Sequence, residues 1–287
     1  MLNKHAYLIM AHGNFNILQE LLKLIDDPRN DIYVHIDKKV KHFDKSLFVN
    51  ICKMSKVYFT KKRINVKWGD SSQVRTEMLL YKMAVRKDYQ YYHLLSGVDL
   101  PLKTQDEIHE FFKDTDKEYM YFTKKISVWD YQRGSWYHFP KWLDVRIVAL
   151  LNRIQGKFNI DRFSKYNLIF LKGSNWSSLT NEAVKLLVSQ EKKIKKMSKF
   201  TVCFDECYKQ IIIYNSPLKE KIYINKYGET DDLREIDWSR GGNSPHIYTM
   251  EDYDKLISSS KLFARKFDEK KDYEIVKKIV NYIITKK

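Results

Sequence analysis

Two adjacent acids, Asp205 and Glu206, stand in the otherwise apolar, cysteine-flanked run TVCFDECYK, residues 201–209. Charged side chains are rarely fully buried unless something pairs with them. Two readings fit. Asp205 caps a helix running on through Tyr208 to Ile213, or an acid here is a catalytic base in a cleft at the mouth of that helix. Other chemistry-bearing residues compete. Asp114 and Asp116 form an Asp-x-Asp, but it follows the amphipathic DEIHEFFK and reads as a solvated turn. Asp252 and Asp254 lie within a helical stretch and point to different faces. Cys203 and Cys207 could sit one helical turn apart. Without a nearby histidine pattern they make a poor zinc site and read as packing residues. His35 and His93 lie in apolar strands and read as satisfied core histidines.

The elements that must position these residues follow from periodicity. HAYLIM, DIYVHID, SKVYF and YYHLLSG are short apolar runs that predict strands. Between them, Ile17, Leu18, Leu21, Leu22 and Ile25 mark one helix face. Met78, Leu79, Met83 and Ala84 mark another, on a helix over 71–86. Strands alternating with helices predict an α/β fold with a mostly parallel sheet covered on both sides. Ligands bind beyond the carboxyl ends of such strands. The loops 11–14, 35–39, 65–72 and 94–104 should therefore gather on one rim.

Residues 123–175 are rich in Trp, Tyr and Arg, which suits stacking on sugar or base faces but equally an aromatic core with exposed basic stems. Further on, Thr180 reads as the N-cap of a helix, DLREIDW as a strand, and Thr249 as the cap of a helix over 250–259. The last helix carries Ile275, Val276, Ile279, Val280 and Ile283, a face that suits docking on the core.

The chain has 287 residues, 44% of them apolar, enough for a sizeable core. Its net charge of +16 implies attraction to something anionic: nucleic acid, an acidic membrane surface or phosphorylated small molecules. The charge is spread along the chain, unlike a nucleic-acid tail. Three cysteines argue against a disulfide framework and for a reducing compartment. No run reaches membrane-spanning length, so the expected location is cytoplasmic, with peripheral contact at the inner face of a membrane.

Several stretches then line up in order: YLIMAHGN, IYVHIDKK, VKWGDSSQV, HLLSGVDLPLKT, KGSNWSSLT, CFDECYKQ, LREIDWSRGGNSPH and LFARKFD. In this order and spacing they resemble the core-2/I-branching β-1,6-N-acetylglucosaminyltransferase family, which includes peptide O-xylosyltransferases. The resemblance runs from about residue 5 to residue 268. It implies a GT-A-like fold, a single glycosyltransferase domain over 1–287, and inverting sugar transfer from a UDP-sugar without a divalent metal. Residues 1–122 would form the nucleotide-sugar half and 123–268 the acceptor and catalytic half, with 269–287 as the C-terminal amphipathic helix. Glu206 matches the family's catalytic base. Lys266 matches a lysine on the donor diphosphate, with Arg265 beside it. His12, Asp37, Trp68 and Gly69 fall in the nucleotide-side loops, and Asp99 in the floor of the donor site. Trp238, with Asp205 and Trp176, falls on the acceptor side.

The resemblance has gaps. The luminal disulfides and membrane anchor of animal members have no counterpart, and a second basic residue reaching the diphosphate has no clear match. GGNSPHIYT stands in its place and looks nearer to the xylosyltransferase form. N-acetylglucosamine is the first expectation for the donor sugar, with xylose, glucose or galactose as alternatives. The acceptor is expected to be a glycan, for instance a lipid-linked intermediate in cell-surface polysaccharide synthesis. Two rivals remain: a basic nucleic-acid-binding protein, for which no zinc-finger, helix-turn-helix or RNP-type signature is present, and a metal-dependent transferase using Asp114 and Asp116.

Overall fold

The computed structural model describes residues 4–139, 143–240, 242 and 244–286. Its main sheet contains β1 (His5–Ala11), β2 (Asn30–Ile36), β3 (Lys56–Phe59) and β4 (Tyr91–Ser96). The short β5 (Leu100–Pro101) leaves it for a second sheet, and β6 (Tyr119–Thr123) and β7 (Lys172–Thr180) return to it. The strand order is β3-β2-β1-β4-β7-β6. β1 pairs in parallel with β2 and β4, and β2 with β3, whereas β7 is antiparallel to both β4 and β6. In the smaller sheet β9 (Phe263–Arg265) lies between β5 and β8 (Arg234–Ile236).

Alternation along the strands builds two cores. Tyr7, Ile9 and Ala11 of β1 face one side with Ile32, Val34 and Ile36 of β2. Helices Phe15–Leu24 and Glu274–Thr285 cover that side, burying Ile17, Leu18, Leu21 and Leu22 from the first and Ile275, Val276, Ile279, Val280 and Ile283 from the second. The last helix thus docks on the core as its spacing predicts. Ala6, Leu8, Tyr33, Tyr92 and Leu94 face the other side, under helices Ser72–Ala84, Asn181–Ser189 and Tyr208–Tyr214. Thr180 caps the second of these by accepting from the Ala183 N–H. The expected α/β architecture, a mostly parallel sheet flanked by helices, is present.

Three local readings change. The helix over 72–84 buries Val74, Thr76, Glu77, Leu80 and Tyr81 with Met78 and Ala84, while Leu79 and Met83 are only half-buried. The face is not purely apolar, because Lys209 meets Glu77 across it at 2.6 Å. The helix at the acidic pair begins later: Phe204–Glu206 is a 3₁₀ turn, followed by the α-helix Tyr208–Tyr214 with Cys207 at its N-cap. Asp205 therefore sits inside the turn and caps nothing. Thr249 makes a capping box with Asp252, but on a 3₁₀ turn that precedes the helix Tyr253–Ser258.

Candidate active site

The carboxyl ends of β1, β2 and β4 open onto a cleft of about 1230 Å³. All four predicted loops reach it, through His12 and Asn14, Asp37 and Lys39, Val66 with Trp68 and Gly69, and Ser96 with Val98. β7 runs the other way, so its first residues, Lys172 to Trp176, arrive at the same edge.

The rim loops are tied down by the residues that end the strands. Asp37 is buried, and its Oδ1 accepts from the Lys39 N–H at 2.8 Å. The Ile64 N–H donates to His35 Nε2 at 2.9 Å, and burial lowers the His35 pKa to about 4, so this ring stays an acceptor. These contacts aim the next loop, where Trp68 stands exposed on the cleft. Gly69 follows at φ +82°, a conformation that side chains disfavour. Its carbonyl accepts from the Cys203 N–H at 2.8 Å, which joins this loop to the acidic turn.

Glu206 opens onto the cleft with two cations beside it. Arg133 Nη1 donates to Glu206 Oε2 at 2.7 Å, and Lys172 Nζ lies 3.9 Å from the same oxygen. Arg133 comes from the helix Val128–Ser135, whose Trp129 also lines the cleft. Asp205 lines the cleft too, and burial, with the charges of Glu77 and Glu206, pushes its pKa up to about 7. Beneath the turn, Lys209 is fully buried. It donates to Glu77 Oε2 at 2.6 Å, to Asn175 Oδ1 at 2.7 Å and to the Asp205 carbonyl at 3.3 Å. The Tyr208 hydroxyl donates to the same Glu77 oxygen at 2.8 Å.

Across the cleft, β9 delivers Arg265 and Lys266, both half-buried. Arg265 is fixed from two sides: its guanidinium lies 4.1 Å from the Trp176 ring centroid, and its Nε is 3.2 Å from Asp99 Oδ1. Burial and the neighbouring Arg265 charge lower the Lys266 pKa. Trp238 is exposed on the cleft, on a turn that Asp237 holds by accepting from the Ser239 N–H and hydroxyl.

A family model for the Core-2/I-Branching enzyme matches residues 5–258. The chain belongs to the Core-2/I-Branching enzyme family. Among curated relatives it is 23% identical to xylosyltransferase 2 of Rattus norvegicus over 94% of this chain and 32% of that protein. It is 24% identical to xylosyltransferase sqv-6 of Caenorhabditis briggsae over 95% and 36% of the two chains. The chain thus spans about a third of the length of these relatives. The apo structure of mouse xyloside xylosyltransferase 1 aligns over 91% of this chain and 96% of that one, with a TM-score of 0.41 at 11% identity. That likeness is too remote to transfer any residue's role.

The sequence-predicted residues of this family member meet in one place with two adjustments. His12, Asp37, Trp68, Gly69, Arg265, Lys266, Trp238, Trp176, Asp205 and Glu206 all line the cleft. Asp99 does not line it. It is fully buried, accepts from the Ser96 N–H at 2.8 Å, and acts on the cleft through Arg265. Trp176 is buried with its ring against Arg265, so it supports that cation and offers no open stacking face. Asp114 and Asp116 are exposed and outside the cleft. Gly242, Ser244 and Pro245 line the cleft where a second basic residue was sought, and Gly241 and Asn243 lie outside the described residues. The residues that sequence reasoning missed are Arg133, Lys172, Glu77 and Lys209. Arg133 lay in the aromatic and basic stretch 123–175 without a signal tying it to Glu206.

Proposed function

We infer that this protein is an inverting glycosyltransferase that moves a sugar from a UDP-sugar to a hydroxyl of a glycan acceptor. One observation carries the reading: Glu206 and the pair Arg265 and Lys266 open onto the same cleft. The reaction needs a base on one side of the sugar and cations on the other. Glu206 accepts the acceptor hydroxyl's proton as that oxygen bonds to the anomeric carbon. The bond from this carbon to the UDP oxygen breaks on the opposite face, and its electron pair leaves with UDP. Negative charge then grows on the β-phosphate, where Arg265 offers a forked pair of donors and Lys266 a point charge.

Fixed cations can supply what a metal ion otherwise would, so transfer is proposed to proceed without a divalent metal. The half-burial of both side chains strengthens their field on the leaving group. Trp238 and Trp129, exposed on the cleft wall, suit stacking against sugar rings. For the donor, UDP-N-acetylglucosamine was the first expectation. The xylosyltransferase names of the relatives put UDP-xylose beside it.

The test is a panel of UDP-sugars assayed for slow hydrolysis and for thermal stabilisation, each with and without a strong chelator. A ligand at 100 times its Kd adds about 2.7 kcal/mol to apparent stability, so the true donor should stand out from the panel. Stabilisation and turnover that survive the chelator support the reading. Turnover abolished by the chelator and restored by manganese removes the metal-free part. A panel with no stabilising UDP-sugar removes the whole.

A further inference from the structure

The helix Val145–Lys157 has an unusual surface. Among its described residues only Gln155 is buried. Seven of its thirteen positions are aliphatic or alanine, in the sequence VRIVALLNRIQGK, yet none of these reaches the core. Ile147, Leu150 and Ile154 are 47%, 58% and 41% exposed, and Phe158, the residue that follows the helix, is 66% exposed. Steps of three and four put these side chains on one stripe.

A second stripe runs beside it with nearly the same period: Arg146, Arg153 and Lys157, all exposed. Each precedes an apolar stripe residue by one position, so the basic row flanks the apolar row along the helix. The helix is pinned from below. Gln155 exchanges hydrogen bonds with the Tyr137 backbone, at 2.7 Å from the Tyr137 N–H and 3.1 Å to its carbonyl. The Tyr137 ring lies 6.2 Å from that of Phe200, and the His138 N–H donates to the Phe200 carbonyl at 2.8 Å. Phe200 is itself exposed and closes the stretch KKIKKMSKF, residues 192–200, whose Ile194 and Met197 are buried while most of its lysines face out.

A protein partner would meet the apolar row well but would need acidic groups spaced against every arginine and lysine. A bilayer with anionic headgroups supplies both faces at once: acyl chains for Ile147, Leu150, Ile154 and Phe158, and phosphates for the basic row. We propose that the helix Val145–Lys157 is an interfacial helix that docks this protein on an anionic lipid bilayer, apolar stripe inward and basic stripe at the headgroups. The charge complementarity of the two stripes argues for this occupant. The same helix leads through Trp136, whose ring borders Gly156, to the helix that carries Trp129 and Arg133 into the cleft. Docking would set that cleft wall close to the lipid surface. The inference does not depend on the transfer reaction, because its readout is binding.

The test uses the full 287-residue chain. It is sedimented with vesicles of phosphatidylcholine alone and of phosphatidylcholine with phosphatidylglycerol. The expected result is strong preference for the anionic vesicles. Ile147→Gln with Leu150→Gln and Ile154→Gln should weaken binding by roughly 100-fold or more, since the side chains are exposed and their loss leaves the fold intact. Arg146→Gln with Arg153→Gln and Lys157→Gln should weaken anionic binding by roughly 100-fold at low salt and leave neutral vesicles unaffected. Wild-type protein that ignores anionic vesicles overturns the proposal. So does a stripe variant that binds as well as wild type, or one that instead splits a dimer in light scattering, which would assign the stripe to a second copy of the chain. Vesicle binding without UDP-sugar turnover would leave this inference standing and count only against the catalytic reading.

Discussion

Arg133 Nη1 lies 2.7 Å from Glu206 Oε2, so the acid read as the base is gripped by a cation from a separate helix. The bond is charge-assisted and engages one carboxylate oxygen. It orients the group and leaves the second oxygen for the proposed proton transfer.

Base and grip can be separated by kinetics. Glu206→Gln should cut turnover by roughly 10²–10⁴-fold, the usual range for a lost general base, with UDP affinity nearly unchanged. Arg133→Met leaves the base present but loosely held. Its turnover should fall by roughly 10–100-fold, as misplacement of a reacting group costs, again with little change in UDP binding measured by calorimetry. Near-normal turnover in Glu206→Gln would put the base elsewhere.

Trp176 gives a second prediction, because its buried ring lies against Arg265, the cation proposed to meet the donor diphosphate. Its ring supports Arg265 at 4.1 Å. A cation–π contact is worth about 0.5–2 kcal/mol from exposed to desolvated sites, so Trp176→Leu should weaken UDP binding by roughly 2–30-fold. KM for the acceptor should hold steady. A variant with normal UDP affinity and a raised acceptor KM would restore the acceptor-side role.

Much of this site was legible because it is built at strand ends. Apolar runs fix β1, β2, β3 and β4, and the turns that follow them had to meet on one edge, which placed His12, Asp37 and the loop bearing Trp68. Arg133 and Lys172 were not legible in that way. Lys172 comes from a strand that enters the sheet antiparallel, a direction that composition does not reveal, and Arg133 comes from a short helix in an aromatic stretch that reads equally as core. Glu77 was hidden for another reason. A charge inside a helix face looks like solvent exposure until its partner, 132 residues away in Lys209, is brought against it.

The Lys209–Glu77 pair should carry stability more than chemistry. Both side chains are fully buried, and burial raises the Glu77 pKa against the pull of Lys209. Lys209→Met strands the acid, and stranding one partner of a buried pair costs about 3–5 kcal/mol. The loss should appear as a lower urea midpoint. Glu77→Gln added to Lys209→Met removes the stranded charge and should recover part of it. A double variant no more stable than the single one would show that packing around Lys209, not its charge, holds the turn under Asp205.

Acid should destabilise the protein through its buried histidines, and the sign follows from their depressed pKa values. His35 and His109 are both lowered to about 4, chiefly by burial, with nearby arginines adding to the effect. His5 and His93, also lowered by burial, adjoin His109: the His5 ring stacks on that of His109 at 4.0 Å, and His93 Nε2 meets His5 Nδ1 at 3.1 Å. The unfolded chain takes up these protons first, near the usual histidine value of 6.5. The histidine contribution is therefore full above pH 6.5 and lost as pH falls toward 4, by about 2–4 kcal/mol for each of His35 and His109. Asp205 works in the opposite direction. Its native pKa of about 7 lies above the ordinary aspartate value of 3.8, so the folded state gains protons over that window and is favoured by acid. Asp205→Asn removes this offset. The variant should be more stable than wild type at pH 8, equal to it at pH 4, and steeper in between, as read from urea unfolding at each pH. A profile flat from pH 7 to 4.5 in Asp205→Asn, where this offset is gone, would mean that the histidines are already protonated in the native state.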